Sequence, residues 1–205
     1  QQAQADGIFE TEIVPVTYKV RRDEVTVSQD EGPSKFNEAK LRSLRPAFDA
    51  EGTVTAGNAS SINDGAAAFV VASDALCKAK GLQPKARIVG MSTHSREPEW
   101  FTLAPIGAIE KLLEQTGWTV DSTDLFEINE AFAAVTLAAE RELKIPSDKV
   151  NIYGGAVSLG HPIGCSGARV LVTLLNALER TGGRRGIAAL CIGGGEGVAM
   201  AVERS

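Results

Sequence analysis

Two short runs of alternating apolar and polar residues, EIVPVTYKV at 12–20 and EVTVS at 24–28, flank the charged turn Arg21, Arg22, Asp23, a pattern that predicts a β-hairpin. From 28 to 48 the chain is polar and charged, with Gly32, Pro33 and Pro46 as breakers. A surface loop with at most one short helix is expected there. The small-residue, Asn-containing stretch GTVTAGNASSINDG at 52–65 reads as a loop. It feeds an apolar strand candidate at 66–72, after which Asp74 is placed to cap the helix ALCKAK at 75–80. Gly81 and Pro84 then mark the main division of the chain.

Beyond that division the pattern is regular. ARIVGMS at 86–92 reads as a strand. PIGAIEKLLEQTG at 105–117 reads as a helix, with Pro105 in its first turn, Ile109, Leu112 and Leu113 on one face, and Gly117 past its end. DLFEI at 124–128 is a strand, AFAAVTLAAEREL at 131–143 a helix stopped before Pro146, and VNIYGG at 150–155 a further strand. SGARVLVTLLNALER at 166–180 is a helix, and IAALCIG and GVAMAVER are strands split by a glycine turn. Strands alternating with helices imply an α/β fold: a mainly parallel sheet covered on both faces, with a hairpin closing its end.

Composition changes this picture only by exclusion. A formal charge of −5 over 205 residues leaves no basic field for nucleic acid or an anionic membrane surface. Cys77, Cys165 and Cys191 are too few and too irregular for a disulfide framework, and with only His94 and His161 no metal-ligand spacing arises. A reducing compartment and a cytoplasmic location are the expectation, with no metal. No apolar run approaches the roughly 20 residues that a spanning helix needs. The chain opens on Gln1 rather than Met, in a polar stretch, from which truncation or processing is expected.

Three segments could carry chemistry. Asn129 and Glu130 fall where the strand DLFEI meets the next helix, the carboxyl edge at which ligands of parallel sheets bind; the alternative is that Asn129 only caps that helix. GGAVSLGHPIGCSGAR is glycine-rich, and Pro162 restricts His161 to an extended conformation, which suits a general base near neutral pH. A glycine-rich anion loop with a structural histidine is the other reading. GxGxxG and GxxxxGK[ST] are both absent. Cys191 ends an apolar strand and is followed by Gly193, Gly194 and Gly195, which places a thiol next to backbone N–H groups that could form an oxyanion site; a buried inert thiol is the bland alternative. Cys165, near a helix amino terminus, is a plausible decoy nucleophile, and Cys77 is read as structural.

NEAFA at 129–133, GHPIG at 160–164 and CIGGGEG at 191–197, in that order, with LRPAF at 44–48 and GTVTAGNASSINDGAAA upstream, resemble the signature blocks of the thiolase family over essentially the whole chain. The resemblance implies the carboxy-terminal half of a thiolase fold. Residues 1–61 would end the loop domain, 62–83 would be the last strand and helix of the amino-terminal domain, and 84–205 would form a complete carboxy-terminal βαβαβαββ domain with a mixed five-stranded sheet.

It further implies an acyltransferase that cleaves 3-ketoacyl-CoA with CoA, or condenses two acetyl-CoA, by a Claisen reaction. In that reading His161 activates the nucleophile and helps to stabilise a thioester oxygen, while Asn129 holds a water of the same oxyanion hole. Cys191 moves the α-proton, and the N–H of Gly193 serves a second oxyanion hole. Ser60 touches the pantetheine arm, and Ala131 and Phe132 line the acyl pocket, near the loop bearing Trp100 and Phe101. CoA enters as substrate, with no tightly bound cofactor. The block carrying the family's nucleophilic cysteine is absent, so the expected partner is the amino-terminal half, in the same or a separate chain, within a homo-oligomer of full-length subunits. Lys35 stands where an arginine near the CoA phosphates is expected. The competing class is a CoA-binding fragment of thiolase type without catalysis.

Overall fold

The computed structural model describes residues 1–204. The first part of the chain holds α1 (Gln2–Ala5), the strands β1 (Val16–Val20) and β2 (Asp23–Val27), then α2 (Glu38–Arg42) and α3 (Asp74–Lys80). β1 and β2 form the expected antiparallel hairpin. Val20 pairs with Asp23, so the turn is the two residues Arg21 and Arg22 and Asp23 belongs to the strand. Arg21 adopts φ 57°, the left-handed geometry that a two-residue hairpin turn of the primed type requires. Both strands are exposed throughout.

Two expectations for this part are corrected. The apolar run 66–72 forms no strand, and Val70 and Val71 stand 97% and 76% exposed, because the described chain offers no neighbouring strand to pair with it. The residue that caps α3 is Ser73 rather than Asp74: its hydroxyl accepts the Leu76 N–H at 3.2 Å, which leaves Asp74 in the first turn, where its charge suits the helix dipole.

The second part contains β3 (Arg87–Ser95), α4 (Ala104–Thr116), β4 (Leu125–Ile128), α5 (Ala133–Leu143), α6 (Ala156–Leu159), α7 (Ser166–Thr181), β5 (Arg185–Ile192) and β6 (Glu196–Glu203). α4 is the helix its pattern predicts: Pro105 sits in the first turn, Gly117 follows the last residue at φ 67°, and Ala108, Ile109 and Leu112 are fully buried.

The sheet is mixed and its order is β3-β6-β5-β4. Only β4 and β5 run parallel; β5 with β6 and β6 with β3 are antiparallel, so the sheet is not mainly parallel. The terminal hairpin lies in the middle of the sheet rather than closing its end. Among the described residues the sheet also has four strands rather than five. The expected strand at 150–155 contracts to one parallel bridge, Phe126 with Val150. Asn151 takes φ 46°, which ends any extended run, and its side chain completes the edge instead. Its Oδ1 accepts the Ile128 N–H at 2.8 Å and its Nδ2 donates to the Ile128 carbonyl at 2.8 Å, as a neighbouring peptide would.

Alternation along the strands sends side chains to two cores. Phe126, Ile128, Ile187, Ala189, Ala199 and Ala201 pack under α4 and α5, whereas Leu125, Ala188 and Val202 pack under α7 through Val170, Leu174, Ala177 and Leu178. The amino-terminal segment is tied to α7 by Thr173 Oγ1, which donates to Glu12 Oε2 at 3.1 Å, next to the buried Phe9.

Candidate active site

Three loops meet at the carboxyl end of β4. The first follows Ile128. Asn129 N–H donates to the Ala189 carbonyl at 2.9 Å, prolonging the parallel pairing with β5, and the Asn129 side chain is fully buried. α5 begins only at Ala133, because Phe132 is extended at φ −137°, ψ 149°, so Asn129 is not its cap. The second loop runs from 154 to 165 and carries His161. The third is 58–62, which stitches the other two together. Ala59 bridges Phe132, Ser60 N–H donates to the Ala131 carbonyl at 3.0 Å and Ala133 N–H to the Asn58 carbonyl at 2.8 Å. On its other side His161 N–H donates to the Ser61 carbonyl at 2.9 Å, and Ile62 bridges His161 in parallel register.

The result is a direct meeting of two residues 32 apart in sequence: Asn129 Nδ2 lies 3.4 Å from His161 Nε2. The other ring nitrogen, Nδ1, is 2.5 Å from Ser166 Oγ, and Ser166, fully buried in the first turn of α7, also reaches the Pro162 carbonyl at 3.1 Å. Burial pushes the His161 pKa below its ordinary value, and the nearby Arg169 guanidinium pushes it further the same way. The imidazole is therefore neutral at neutral pH. Asn129 Oδ1 is buried without a hydrogen-bond partner among the described residues.

Cys191 reaches the same sheet edge one strand over, near the end of β5 and half-buried against the α4 and α5 core. Burial raises its thiol pKa, outweighing a backbone hydrogen bond that lowers it, so the group is a protonated thiol at neutral pH. Gly193 lies in the exposed turn that follows, with open space where a side chain would stand, so its own surroundings do not demand glycine. Gly195 does need to be glycine: it has φ 102°, and a Cβ there would lie 2.3 Å from the Arg96 carbonyl oxygen.

The remaining expected residues are placed as follows. Ser60 Oγ donates to the Ala131 carbonyl at 3.0 Å, so its hydroxyl holds the loop beside Phe132 and keeps its lone pairs free. Phe132 stacks edge-on with Phe48 at 6.4 Å and with Phe101 at 6.2 Å, forming an aromatic wall, whereas Trp100 is half exposed. Lys35 pairs with Glu31 on the surface. Cys165 and Cys77 are both buried.

Acidic side chains around these loops organise the site. Glu130 accepts from Asn151 Nδ2 at 3.1 Å and from the Val157 N–H at 3.1 Å, which ties the Asn129 loop to the His161 loop. A Cβ at Gly155 would fall 2.4 Å from the Glu130 carboxyl, so that clamp requires glycine there. Beneath it Glu127 is buried on β4, and desolvation first, then the Glu130 and Glu12 charges, raise its pKa to about 8 against the opposing pull of Arg169. A carboxyl whose folded pKa exceeds its unfolded one contributes stability below the unfolded value that is lost as pH rises through the folded value. Glu127→Gln is therefore expected to match the parent near pH 4.5, then to gain on it up to about pH 8 by on the order of a few kcal/mol, and to hold that lead above. Thermal unfolding of both proteins across pH 4.5–9 measures the difference; a constant offset would contradict the buried, protonated carboxyl.

Fold and site together define a class: an α/β domain that brings neutral acid/base and hydrogen-bonding groups together at a sheet edge. Comparison with known proteins resolves the class further. Residues 82–204 match the family model described as thiolase, C-terminal domain, and residues 1–75 match thiolase, N-terminal domain. The chain belongs to the thiolase family. It is 50% identical over 207 residues to the acetyl-CoA acetyltransferase of Shinella zoogloeoides, covering 99% of this chain and 52% of that protein. Acetyl-CoA acetyltransferase IB of Candida tropicalis is 49% identical over 206 residues, with 99% and 51% covered. Among solved structures, Bacillus anthracis acetyl-CoA acetyltransferase superposes with a TM-score of 0.96 at 50% identity, and human mitochondrial 3-ketoacyl-CoA thiolase with 0.90 at 35%; each match spans all of this chain and 52% of the other. The chain thus spans about half the length of the relatives it matches.

Proposed function

We propose that this chain is the Claisen half of a CoA-dependent acyltransferase, completed by an amino-terminal thiolase half that carries the nucleophilic cysteine. The reaction is thiolytic cleavage of 3-ketoacyl-CoA by CoA, or the reverse condensation of two acetyl-CoA. The observation that carries the reading is the neutral His161 imidazole held 3.4 Å from the buried Asn129 amide at the carboxyl end of β4. An α-proton of a thioester is weakly acidic, so the enolate that forms on its removal needs donors already in place, and a histidine with an asparagine supplies them without a formal cation.

Each residue has a proposed role. His161 takes the proton of the nucleophilic thiol and later faces a thioester oxygen, while Asn129 orients a water beside it. Cys191, protonated at rest, returns or removes the α-proton, and the Gly193 N–H, in the open turn beyond it, faces the second thioester oxygen. Ser60 offers its free lone pairs to the pantetheine arm, and Ala131 with Phe132 and the aromatic wall bounds the acyl group. Residues 1–61 belong to the loop domain, 62–83 to the end of the amino-terminal domain and 84–205 to the carboxy-terminal domain. The exposed run 66–72 supports this division, since it needs a sheet that the other half would supply. Full-length subunits then assemble as a homo-oligomer.

The test is acetoacetyl-CoA cleavage by the complete protein. Activity abolished by alkylating a cysteine outside these residues is the expected result; CoA binding without turnover would instead make the chain part of a binding module.

A further inference from the structure

The proposed reaction asks two opposite things of one nitrogen. His161 Nε2 must accept a proton when the nucleophilic thiol is activated, and must donate a hydrogen bond when a thioester oxygen gains charge. A neutral imidazole carries one proton, so the two tasks need its two tautomers. Whatever faces Nδ1 must then accept in one state and donate in the other. A carboxylate can only accept and a backbone N–H can only donate; a hydroxyl can do both.

Ser166 has this geometry. Its Oγ lies 2.5 Å from His161 Nδ1 and 3.1 Å from the Pro162 carbonyl, so its single proton has two acceptors within reach. The residue is fully buried, so no competing solvent turns the hydroxyl away. With the Asn129 amide donating toward Nε2 across 3.4 Å, the resting arrangement is a one-way run of donors: Asn129 to Nε2, Nδ1–H to Ser166 Oγ, and Ser166 O–H to the Pro162 carbonyl.

Resting on the acyl-transfer reading above, we infer that Ser166 is a positioning residue whose hydroxyl serves both tautomers of His161, turning from Pro162 to Nδ1 when His161 changes from base to oxyanion donor. In the second state Nε2–H points to the thioester oxygen and the Ser166 O–H points to Nδ1. When Nε2 takes the thiol proton the ring briefly holds two and passes that proton to the departing CoA thiolate, so it holds one in each state. Exchange with water at the partly exposed ring then moves that one from Nδ1 to Nε2 with no net gain or loss. Ser166 sits five residues after His161 because Pro162 and the first turn of α7 fold the chain back over the ring.

A double-mutant cycle in the full-length enzyme tests this, reading kcat and KM for acetoacetyl-CoA thiolysis. Ser166→Ala is expected to lower kcat by about 10- to 100-fold with KM within about twofold, and to add nothing further in a His161→Ala background. Losses that multiply in the double variant, or a kcat within about twofold of the parent in Ser166→Ala, would overturn the inference. Nitrogen-15 NMR of the unsubstituted enzyme gives a second readout, with the His161 signals assigned by their loss in His161→Ala. Nδ1–H at rest and Nε2–H in the acyl-enzyme are expected, and one tautomer in both states overturns it. Full activity in His161→Ala would instead remove the acyl-transfer reading itself, which separates the two failures.

Discussion

On the proposed acyl-transfer function, His161→Ala in the full-length protein is expected to lower turnover by about 10²-fold or more, with little change in thermal stability. The magnitude follows from the two contributions proposed for this side chain: acid/base transfer is worth about 10²- to 10⁴-fold, and removal of one oxyanion donor costs about 10²- to 10³-fold. The small stability effect follows from how His161 is held. Its anchoring to 58–62 is through backbone, in the His161 N–H to Ser61 carbonyl bond and the bridge to Ile62, and both survive truncation of the side chain. The measurement is steady-state thiolysis of acetoacetyl-CoA beside a melting curve. Near-normal turnover refutes the role, and a collapsed melting curve would show that the ring is part of the scaffold instead.

The second large effect divides the reaction in two. Cys191→Ser is expected to leave acyl-enzyme formation largely intact while reducing complete turnover by about 10²-fold or more. Cys191 is a half-buried thiol whose pKa burial raises, which keeps it protonated and makes it a poor attacking group at neutral pH. A serine hydroxyl in its place keeps the size but holds its proton far more tightly, so the α-proton step fails. The CoA released in the first turnover, compared with the steady-state rate, separates the two steps. A variant already unable to acylate would move Cys191 to the first step.

Much of this architecture was legible in the chain because its determinants are local. α4 is specified by Pro105, by the apolar face of Ile109 and Leu112, and by Gly117, all within one segment. The hairpin of β1 and β2 follows from alternation across a charged turn. Where pattern reading failed, the deciding partner lay elsewhere. VNIYGG has the composition of a strand, yet Asn151 turns out of extended geometry and pairs through its side chain. The run 66–72 reads as a strand and stays unpaired for want of a neighbouring strand. Asn129 reads as a helix cap from its neighbours alone, but the bridge between Ala59 and Phe132 holds the chain extended and delays α5 to Ala133.

By itself the sequence determined that this is an α/β chain with thiolase signature blocks, and which side chains are chemically able to act, because periodicity, capping and glycine-rich motifs are written in neighbouring residues. Only the tertiary structure decided that the sheet runs β3-β6-β5-β4, that Asn129 meets His161, that Ser60 and Ser61 lace their loops together and that Glu130 clamps them. Those are pairings between groups distant in the chain. They depend on which surfaces bury together, and no local pattern encodes the distance between two side chains that meet only when the sheet has formed.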